Sequence, residues 1–229
     1  MILTPDEHLN ALADIVRGCT SCRLHECRKQ AVFGRGPSTA SIMVIGGAPN
    51  EDEDKKGESF AGKIGKELFD LLSICEVPDT AVYLTSVLKC RPEKNKFPAD
   101  TEDCAPLCVG YLKKQIEVIG PDVILLAGKH ALQWVLYQGI GAPPDITRAV
   151  GQHYRRRDRF GETRFVVMHH PNDLLKNKSD VDRETSMTAI SSAWHHAKAR
   201  REGQSTPWVR FTDLVPPPPP VFQTRSLFR

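Results

Sequence analysis

Short apolar runs alternate with amphipathic segments along most of the chain. Four runs have the length of β-strands and are almost entirely apolar, at residues 40–45, 81–88, 123–127 and 165–168. Apolar residues at helical spacing predict helices over residues 5–17, 66–74, 102–119, 130–138 and 184–202. Strands that are apolar on both faces and alternate with helices indicate an α/β domain with a parallel sheet covered on both sides.

Two segments break this pattern. Residues 46–65 (GGAPNEDEDKKGESFAGKIG) follow the first strand, are rich in glycine and acidic residues, and are predicted to form a loop. The helical pattern stops at Gly203, and residues 216–220 are a run of five prolines that favours an extended polyproline II spacer. We therefore predict a globular domain over residues 1–203 and a proline-rich linker with a C-terminal peptide over residues 204–229.

Composition narrows the class of protein. Of the 229 residues, 40% are hydrophobic and 26% are charged, which excludes wholesale disorder. No apolar run approaches the roughly 20 residues of a membrane span, and the N-terminal segment does not have the pattern of a secretion signal. We therefore expect a cytoplasmic monomer (in the host cytoplasm if the protein is viral) without a membrane partner. The formal net charge of +3 is too small to indicate nucleic-acid binding by itself.

Cysteine is the first residue type that indicates chemistry. Seven cysteines, without a secretion signal, argue against a disulfide framework and favour metal ligation or free thiols. Cys19 and Cys22 form a C-x-x-C pair, and Cys90 with either Cys104 or Cys108 supplies two more thiolates. Four thiolates suit zinc or an iron–sulfur cluster, and the wide spacing of the second pair favours the cluster. Two other cysteines are interpreted as buried thiols: Cys27 and Cys75.

Several motifs then stand in a characteristic order between about residues 5 and 200. They are C-x-x-C, VFGRG (32–36), the segment 46–65, SVLKCRP (86–92), CVGYLKKQI (108–116), PDVILLAG (121–128) and HHPNDLL (169–175). Together they resemble the family 4 uracil-DNA glycosylases, the iron–sulfur members of their superfamily. The resemblance implies a three-layer αβα fold with a central four-stranded parallel sheet and DNA with an extruded uracil as substrate. It also implies a 4Fe–4S cluster, whose ligands here would be Cys19, Cys22, Cys90 and Cys108.

The resemblance further implies a base pocket at the carboxyl ends of the strands, where a glycosylase holds the extruded base. The residues that would bind the substrate follow the first two strands: Gly47, Ala48, Pro49, Asn50, Phe60 and Ser86. Phe60 would stack on the flipped base. His170 would donate a hydrogen bond to uracil O2 while negative charge builds on the leaving base. Glu53 is the carboxylate that would position water.

Residues 171–176 (PNDLLK) are predicted to form the loop that enters the duplex, with Leu174 or Leu175 as an apolar wedge. The predicted DNA contacts in this loop are Pro171, Asn172, Leu174 and Lys176. Basic residues at 148–159 and at the end of the last helix would either clamp phosphates or lie in a solvated turn.

Three positions depart from the family pattern and keep the function open. Gly47 stands where the family has glutamate, Asn50 where it has glycine, and Ser86 where it has an asparagine that reads the uracil edge. Replacing that amide by a hydroxyl should cost about 1–3 kcal/mol of base discrimination. The chain would excise uracil in base excision repair, excise a modified pyrimidine, or bind DNA without chemistry during replication.

The C-terminal peptide, from Gln223 to Phe228 (QTRSLF), resembles the short peptides with which replication proteins bind sliding clamps. It would give the chain a sliding clamp or a replication polymerase as partner. The alternatives are a linker into a further domain and an inert tail. For the whole chain, a zinc-stabilised binding module without enzymatic activity is the remaining alternative.

Overall fold

The computed structural model describes residues 3–98, 104–137, 145–158, 161–204 and 212–213. The strands are β1 (Ile42–Gly46), β2 (Val82–Ser86), β3 (Val123–Ala127), β4 (His153–Asp158), β5 (Gly161–Met168) and β6 (Thr212–Asp213). The α-helices are α1 (Pro5–Arg17), α2 (Leu24–Cys27), α3 (Glu51–Lys56), α4 (Gly62–Ile74), α5 (Cys104–Ile119), α6 (Lys129–Ala131), α7 (Ile146–Ala149), α8 (Pro171–Asn177) and α9 (Asp180–Arg201). A π-helical turn, Leu132–Leu136, continues α6. Within the described residues, no helix is both long enough and apolar enough to cross a membrane.

The described strands form one sheet in the order β2-β1-β3-β5-β4-β6. The first four strands in this order, β2, β1, β3 and β5, are parallel to one another, which confirms the predicted four-stranded parallel sheet. Every residue of β1, β2 and β3 is buried, as expected for parallel strands that helices cover on both faces. The sequence analysis missed β4, which is antiparallel to β5, and the short β6, which is parallel to β4.

Alternate residues of β1 enter two separate hydrophobic clusters in the described part of the chain. Met43 and Ile45 pack in a cluster that includes Leu112 of α5. Ile42 and Val44 pack in a second cluster, to which α4 and α9 contribute. Because successive side chains of a strand point to opposite faces, the two clusters are the two helix–sheet interfaces of a three-layer αβα fold. The predicted fold class is therefore confirmed.

Two segments predicted to be loops are helices. The acidic segment after β1 forms α3, because Asn50 and Glu53 make a capping box at its start and Gly57 ends it in the left-handed conformation. The segment predicted to enter DNA as a loop forms α8, with the His170 side chain as its N-cap and Pro171 in its first turn. Both helices begin at the carboxyl end of a parallel strand.

The predicted linker and C-terminal peptide lie almost entirely outside the described residues, including Gln223 to Phe228. Only Gln204 and the two residues of β6 belong to the described part of this region. Because β6 pairs with β4, these two residues extend the sheet of the domain. The domain boundary at residue 203 and the docking peptide stay predictions.

Candidate functional site

An open cleft of about 1810 Å³ lies at the carboxyl ends of β1, β3 and β5. We call it the strand-end cleft. Its walls come from the segment after β1, the start of α6, the start of α8, and a stretch after β2 that includes Phe97. Ligand sites of open α/β sheets occur at this edge. The predicted substrate-binding residues Gly47, Ala48, Pro49 and Asn50 all line the cleft, as do Glu53 and His170.

The Glu53 carboxylate joins two parts of the cleft wall. One oxygen accepts a hydrogen bond from the Asn50 backbone N–H at 2.8 Å, and the other accepts one from the Phe60 backbone N–H at 2.5 Å. Glu53 is only 5% exposed. Burial raises the pKa of Glu53, although the two backbone donors oppose the shift. These contacts make Glu53 the residue that holds Phe60 in its left-handed conformation, with a φ of 52°.

Phe60 and Ser86 meet beneath the cleft at Gly46. A Cβ on Gly46 would lie 3.1 Å from Phe60 Cζ and 3.2 Å from Ser86 Oγ, so both side chains pack against this glycine. Both residues are 2% exposed. The Phe60 ring also stacks on the His170 ring, with centroids 6.2 Å apart. Direct contact of Phe60 and Ser86 with a base stays a prediction.

The His170 imidazole has a defined tautomer. Its Nδ1 accepts a hydrogen bond from the Asn172 backbone N–H at 3.2 Å, so the proton of the neutral ring is on Nε2. Burial lowers the pKa of His170, with Asp173 opposing the shift. A Cβ on Gly128, whose φ is 84°, would lie 2.9 Å from His170 Cβ, so glycine is needed there. The cleft therefore contains a neutral histidine that can donate from Nε2.

A second histidine lines the cleft, and the sequence analysis did not identify it. His130 follows Gly128 at the end of β3, and its ring lies parallel to the Phe97 ring at 4.0 Å between centroids. A Cβ on Gly47 would lie 2.9 Å from His130 Cβ. The available signal was its position, since the residues just after a parallel strand are where ligand sites form.

Helix α8 corrects the predicted apolar wedge. Leu174 is 5% exposed and packs in the core with α4 and α9, so it cannot enter a duplex in this conformation. Leu175 is 38% exposed and lines the cleft. Asn172 and Lys176 also line the cleft, whereas Pro171 is buried at the start of the helix.

The basic residues around the cleft differ from the predicted clusters. Four lysines line the cleft: Lys63, Lys94, Lys129 and Lys176. Of these, only Lys176 was predicted from the sequence. Two arginines of β4 have partners within the fold. Arg155 lies 3.8 Å from Glu162, and Arg156 lies over the Phe165 ring. At the end of α9, Arg200 and Arg201 pair with Asp122.

The four predicted cluster ligands line one cavity on the same face of the sheet as α5. They are Cys19, Cys22, Cys90 and Cys108. Cys104, the alternative fourth ligand, is buried in the core like Cys90 and Cys108 but is not among the residues that line this cavity. The prediction of a buried thiol is wrong for Cys27, which is exposed, and Cys75 is only partly buried. No group of His, Cys, Asp or Glu side chains in the described part of the chain is arranged to hold a single metal ion.

Hydrogen-bond donors surround the sulfur atoms of this cavity. Arg28 donates to Cys90 Sγ at 2.9 Å, the Lys89 backbone N–H to Cys108 Sγ at 3.2 Å, and the Tyr111 hydroxyl to Cys19 Sγ at 3.3 Å. Burial raises the pKa of the Cys90 thiol, and raises that of Cys108 to about 12. Burial would also raise the pKa of Cys19, but hydrogen bonds with Ser21 and Tyr111 outweigh it and lower this pKa. Donors aimed at sulfur suit a thiolate-bound, anionic metal group.

A short chain segment, residues 86–90, connects the two sites. The Val87 and Leu88 backbone N–H groups donate to the carbonyls of Gly46 and Gly47, at 2.9 and 3.0 Å. The Lys89 ammonium is fully buried and donates to Thr85 Oγ1, Ser86 O and Gln115 Oε1 at 2.6–2.7 Å. The next residue is Cys90. The floor of the cleft and the wall of the cysteine cavity are therefore parts of one hydrogen-bonded unit.

Comparison with known proteins agrees with this arrangement. Residues 33–198 match the model of the uracil DNA glycosylase superfamily. The chain is 34% identical over 190 residues to a type-4 uracil-DNA glycosylase of Thermotoga maritima, covering 83% of this chain and 95% of that protein. It is 42% identical over 149 residues to the type-4 uracil-DNA glycosylase of Saccharolobus solfataricus, covering 65% and 68%. A DNA polymerase of Bacillus phage SP01 is 32% identical over 160 residues, which are 69% of this chain but 16% of the polymerase. The matched region contains the whole sheet core and the strand-end cleft, and the chain therefore belongs to the uracil-DNA glycosylase superfamily, with the type-4 proteins.

Proposed function

We propose that this protein excises uracil from DNA by hydrolysis of the N-glycosidic bond, as a step of base excision repair. The observation that carries the proposal is His170: a neutral imidazole at the end of β5, with Nδ1 occupied by the Asn172 N–H, lines the cleft. The remaining Nε2–H is the donor that a departing uracil needs at O2. The names of the type-4 relatives support the same activity.

The proposed reaction proceeds through charge separation along the glycosidic bond. As the bond breaks, negative charge builds on the base and positive charge on the deoxyribose. The Nε2–H of His170 stabilises the anionic base, because a fixed donor at the position of developing charge lowers the barrier. Water then adds to the sugar. Glu53 holds Asn50 and Phe60 in place through its two backbone contacts. Each Glu53 oxygen can accept one more hydrogen bond. Glu53 would position the water molecule by accepting such a bond from it.

The rim of the cleft supports binding of a DNA backbone. Four lysines line the cleft, Lys63, Lys94, Lys129 and Lys176, together with the carboxylates Glu51, Asp52, Glu53 and Asp173. The lysines would contact the phosphates on either side of an extruded nucleotide. Leu175 is the exposed apolar side chain beside them and is the residue we propose as the wedge. Binding should therefore weaken as the salt concentration rises.

We further propose that Cys19, Cys22, Cys90 and Cys108 hold a 4Fe–4S cluster. The donor set is entirely thiol, the four thiols line one cavity, and hydrogen-bond donors reach three of the sulfurs. When bound, such a cluster would supply a rigid cross-link between the α1–α2 segment, the residue after Lys89, and α5. The residues of this chain orient the thiols and exclude water from them.

A second candidate function is a glycosylase-like domain that acts in replication. The observation that favours it is the similarity to part of the phage SP01 DNA polymerase. A clamp or polymerase partner bound through Gln223 to Phe228 would agree with this function. Uracil excision is the better supported of the two, because the similarity to the type-4 proteins covers more of both chains.

The experiment that tests the proposed activity is single-turnover release of uracil from single-stranded and duplex oligonucleotides. We expect release by the wild-type protein and a loss of 100-fold or more for His170→Ala, because one fixed donor at the leaving group contributes roughly 10²–10³ in rate. His8→Ala, at an exposed position of α1, is the matched control and should react at the wild-type rate. Absence of release by the wild-type protein would reject the proposal.

The cluster has its own test. We expect purified protein to contain about four iron atoms and four acid-labile sulfides per chain, with visible absorption, as the stoichiometry of a [4Fe–4S] group requires. Cys108→Ala should abolish the absorption and lower the thermal midpoint. Cys27→Ala, at an exposed cysteine outside the cavity, should change neither. Stoichiometric zinc with no iron would reject the cluster.

A further inference from the structure

His130 covers a backbone position that has no side chain of its own. That position is Gly47. A Cβ on Gly47 would lie 2.9 Å from the His130 Cβ and 3.5 Å from the His130 ring carbon Cδ2. The position of the His130 Cβ is fixed by the backbone, so a change of side-chain rotamer cannot relieve this contact. At this point the wall of the strand-end cleft is therefore formed by a histidine from the segment after β3.

Phe97 fixes the orientation of this histidine. The two rings are parallel within 6° and their centroids are 4.0 Å apart. Phe97 belongs to the segment after β2, Gly47 to the segment after β1, and His130 to α6. Segments that follow three neighbouring strands thus meet in one contact. A side chain fixed in this way loses little conformational entropy when a ligand binds.

His130 and His170 are held by the same construction. Each histidine has its Cβ directly over a glycine that follows a parallel strand, Gly47 for His130 and Gly128 for His170. Both line the strand-end cleft. The π-helical turn Leu132–Leu136 begins two residues after His130, and such turns occur often at functional sites.

From these contacts we propose that His130 is a second substrate-contacting residue. Its imidazole hydrogen-bonds the extruded deoxyuridine on the β1–β2 side of the cleft, with Phe97 as its stacking support, while His170 acts on the β5 side. The inference rests on the proposed function, because it assigns a residue to the same reaction. Gly47 has no side chain that could hydrogen-bond the substrate. According to this inference, the His130 imidazole provides the hydrogen-bonding group at this part of the cleft wall.

The first experiment compares His130→Phe with His130→Gln in single-turnover uracil release. Phenylalanine keeps the stack on Phe97 but has no ring nitrogen. We expect the maximal rate to fall at least tenfold, with the half-saturating DNA concentration within threefold of wild type. Glutamine should recover part of the rate, because its amide restores a hydrogen-bonding group. His8→Phe on the exposed face of α1 is the matched control and should leave both parameters unchanged.

The second experiment tests the contact with Gly47 by a double-mutant cycle. Gly47→Ala should lower the rate at least fivefold in the wild-type background, because the added methyl displaces His130. In a His130→Gly background the same substitution should change the rate less than twofold. Equal losses in both backgrounds would overturn the inferred contact.

The outcomes separate this inference from the proposed function. A wild-type protein that releases no uracil would overturn both. A wild-type protein that releases uracil, together with an equally active His130→Phe, would overturn the inference alone. Iron content and the thermal midpoint establish that each variant is folded. If His130→Phe does not fold, a wild-type rate for His130→Gln together with equal Gly47→Ala losses in the double-mutant cycle would overturn the inference.

Discussion

Leu174 and Leu175 are neighbours in the chain with opposite surroundings. Leu174 is buried among core side chains, and Leu175 faces the cleft. Leu174→Ala should lower the free energy of unfolding by about 2–4 kcal/mol, since it leaves a cavity. Leu175→Ala should change it by less than about 0.5 kcal/mol and should slow uracil release from duplex DNA more than from single strands. Urea denaturation and the release assay on both substrates measure these effects.

The single-stranded substrate is the control for the wedge function of Leu175. A wedge acts only where a base must leave a stacked duplex, so the ratio of duplex to single-strand rates isolates it from general damage. If Leu175→Ala slowed both substrates equally, Leu175 would be a packing residue of the cleft wall and not a wedge.

Single residues show where the sequence was sufficient and where it was not. His170 and the four cavity cysteines were identified by their motifs, and the structure brings the cysteines to one cavity. The sequence could not distinguish Leu174 from Leu175, because both stand in PNDLLK and only the phase of α8 decides which one is buried. His130 was missed because its role depends on contacts with Gly47 and Phe97, which are distant in sequence.

At the scale of elements, the segment of residues 86–90 is the connection between the two sites. Its residue Lys89, which precedes Cys90, has three buried acceptors around the ammonium. Lys89→Met keeps the aliphatic volume and removes all three hydrogen bonds. We expect the free energy of unfolding to fall by about 1–3 kcal/mol and uracil release to slow, because Ser86 and the backbone beside Gly46 and Gly47 lose a support.

The matched control for this prediction is Lys66→Met, at an exposed position of α4. It should leave stability and activity unchanged. Circular dichroism melting and single-turnover release are the two measurements. A Lys89→Met variant with wild-type release would show that the cleft does not depend on this ammonium.

The elements that the sequence predicted well are those whose formation depends on burial. The apolar strands and the long amphipathic helices were all identified, and β3 and α1 at their observed bounds, but β5, α4 and α9 each begin four residues earlier than predicted. Helix α3 was missed because it is charged throughout, and its formation depends on the Asn50–Glu53 cap and not on an apolar face. Strand β4 was missed because HYRRRD reads as a basic cluster, although Arg155 pairs with Glu162 and Arg156 lies over the Phe165 ring.

At the scale of the whole molecule, one buried histidine of α9 predicts the response to acid. His196 is 2% exposed, and burial, with further contributions from Arg164 and His153, lowers its pKa to about 4. The folded state therefore favours the neutral ring, while the unfolded chain titrates near pH 6.5. The stabilisation is complete above about pH 7 and is lost as the pH falls toward 4.

His196→Gln removes this titration. We expect the difference in unfolding free energy between wild type and variant to change by roughly 1–3 kcal/mol between pH 7 and pH 4.5, to the disadvantage of the wild type. Urea denaturation at a series of pH values measures it, and His195→Gln, at an exposed neighbour, is the control. A constant difference over this range would contradict the prediction.

The contact between Gly47 and His130 also limits how this protein can evolve. A residue with a Cβ at position 47 is compatible with this backbone only after position 130 has become glycine, because the contacting atom is the His130 Cβ, so neither change is neutral without the other. A library that randomises both codons together should contain active clones that no stepwise path from the present sequence reaches. Such epistasis would make the pair a natural starting point for engineering altered base preference.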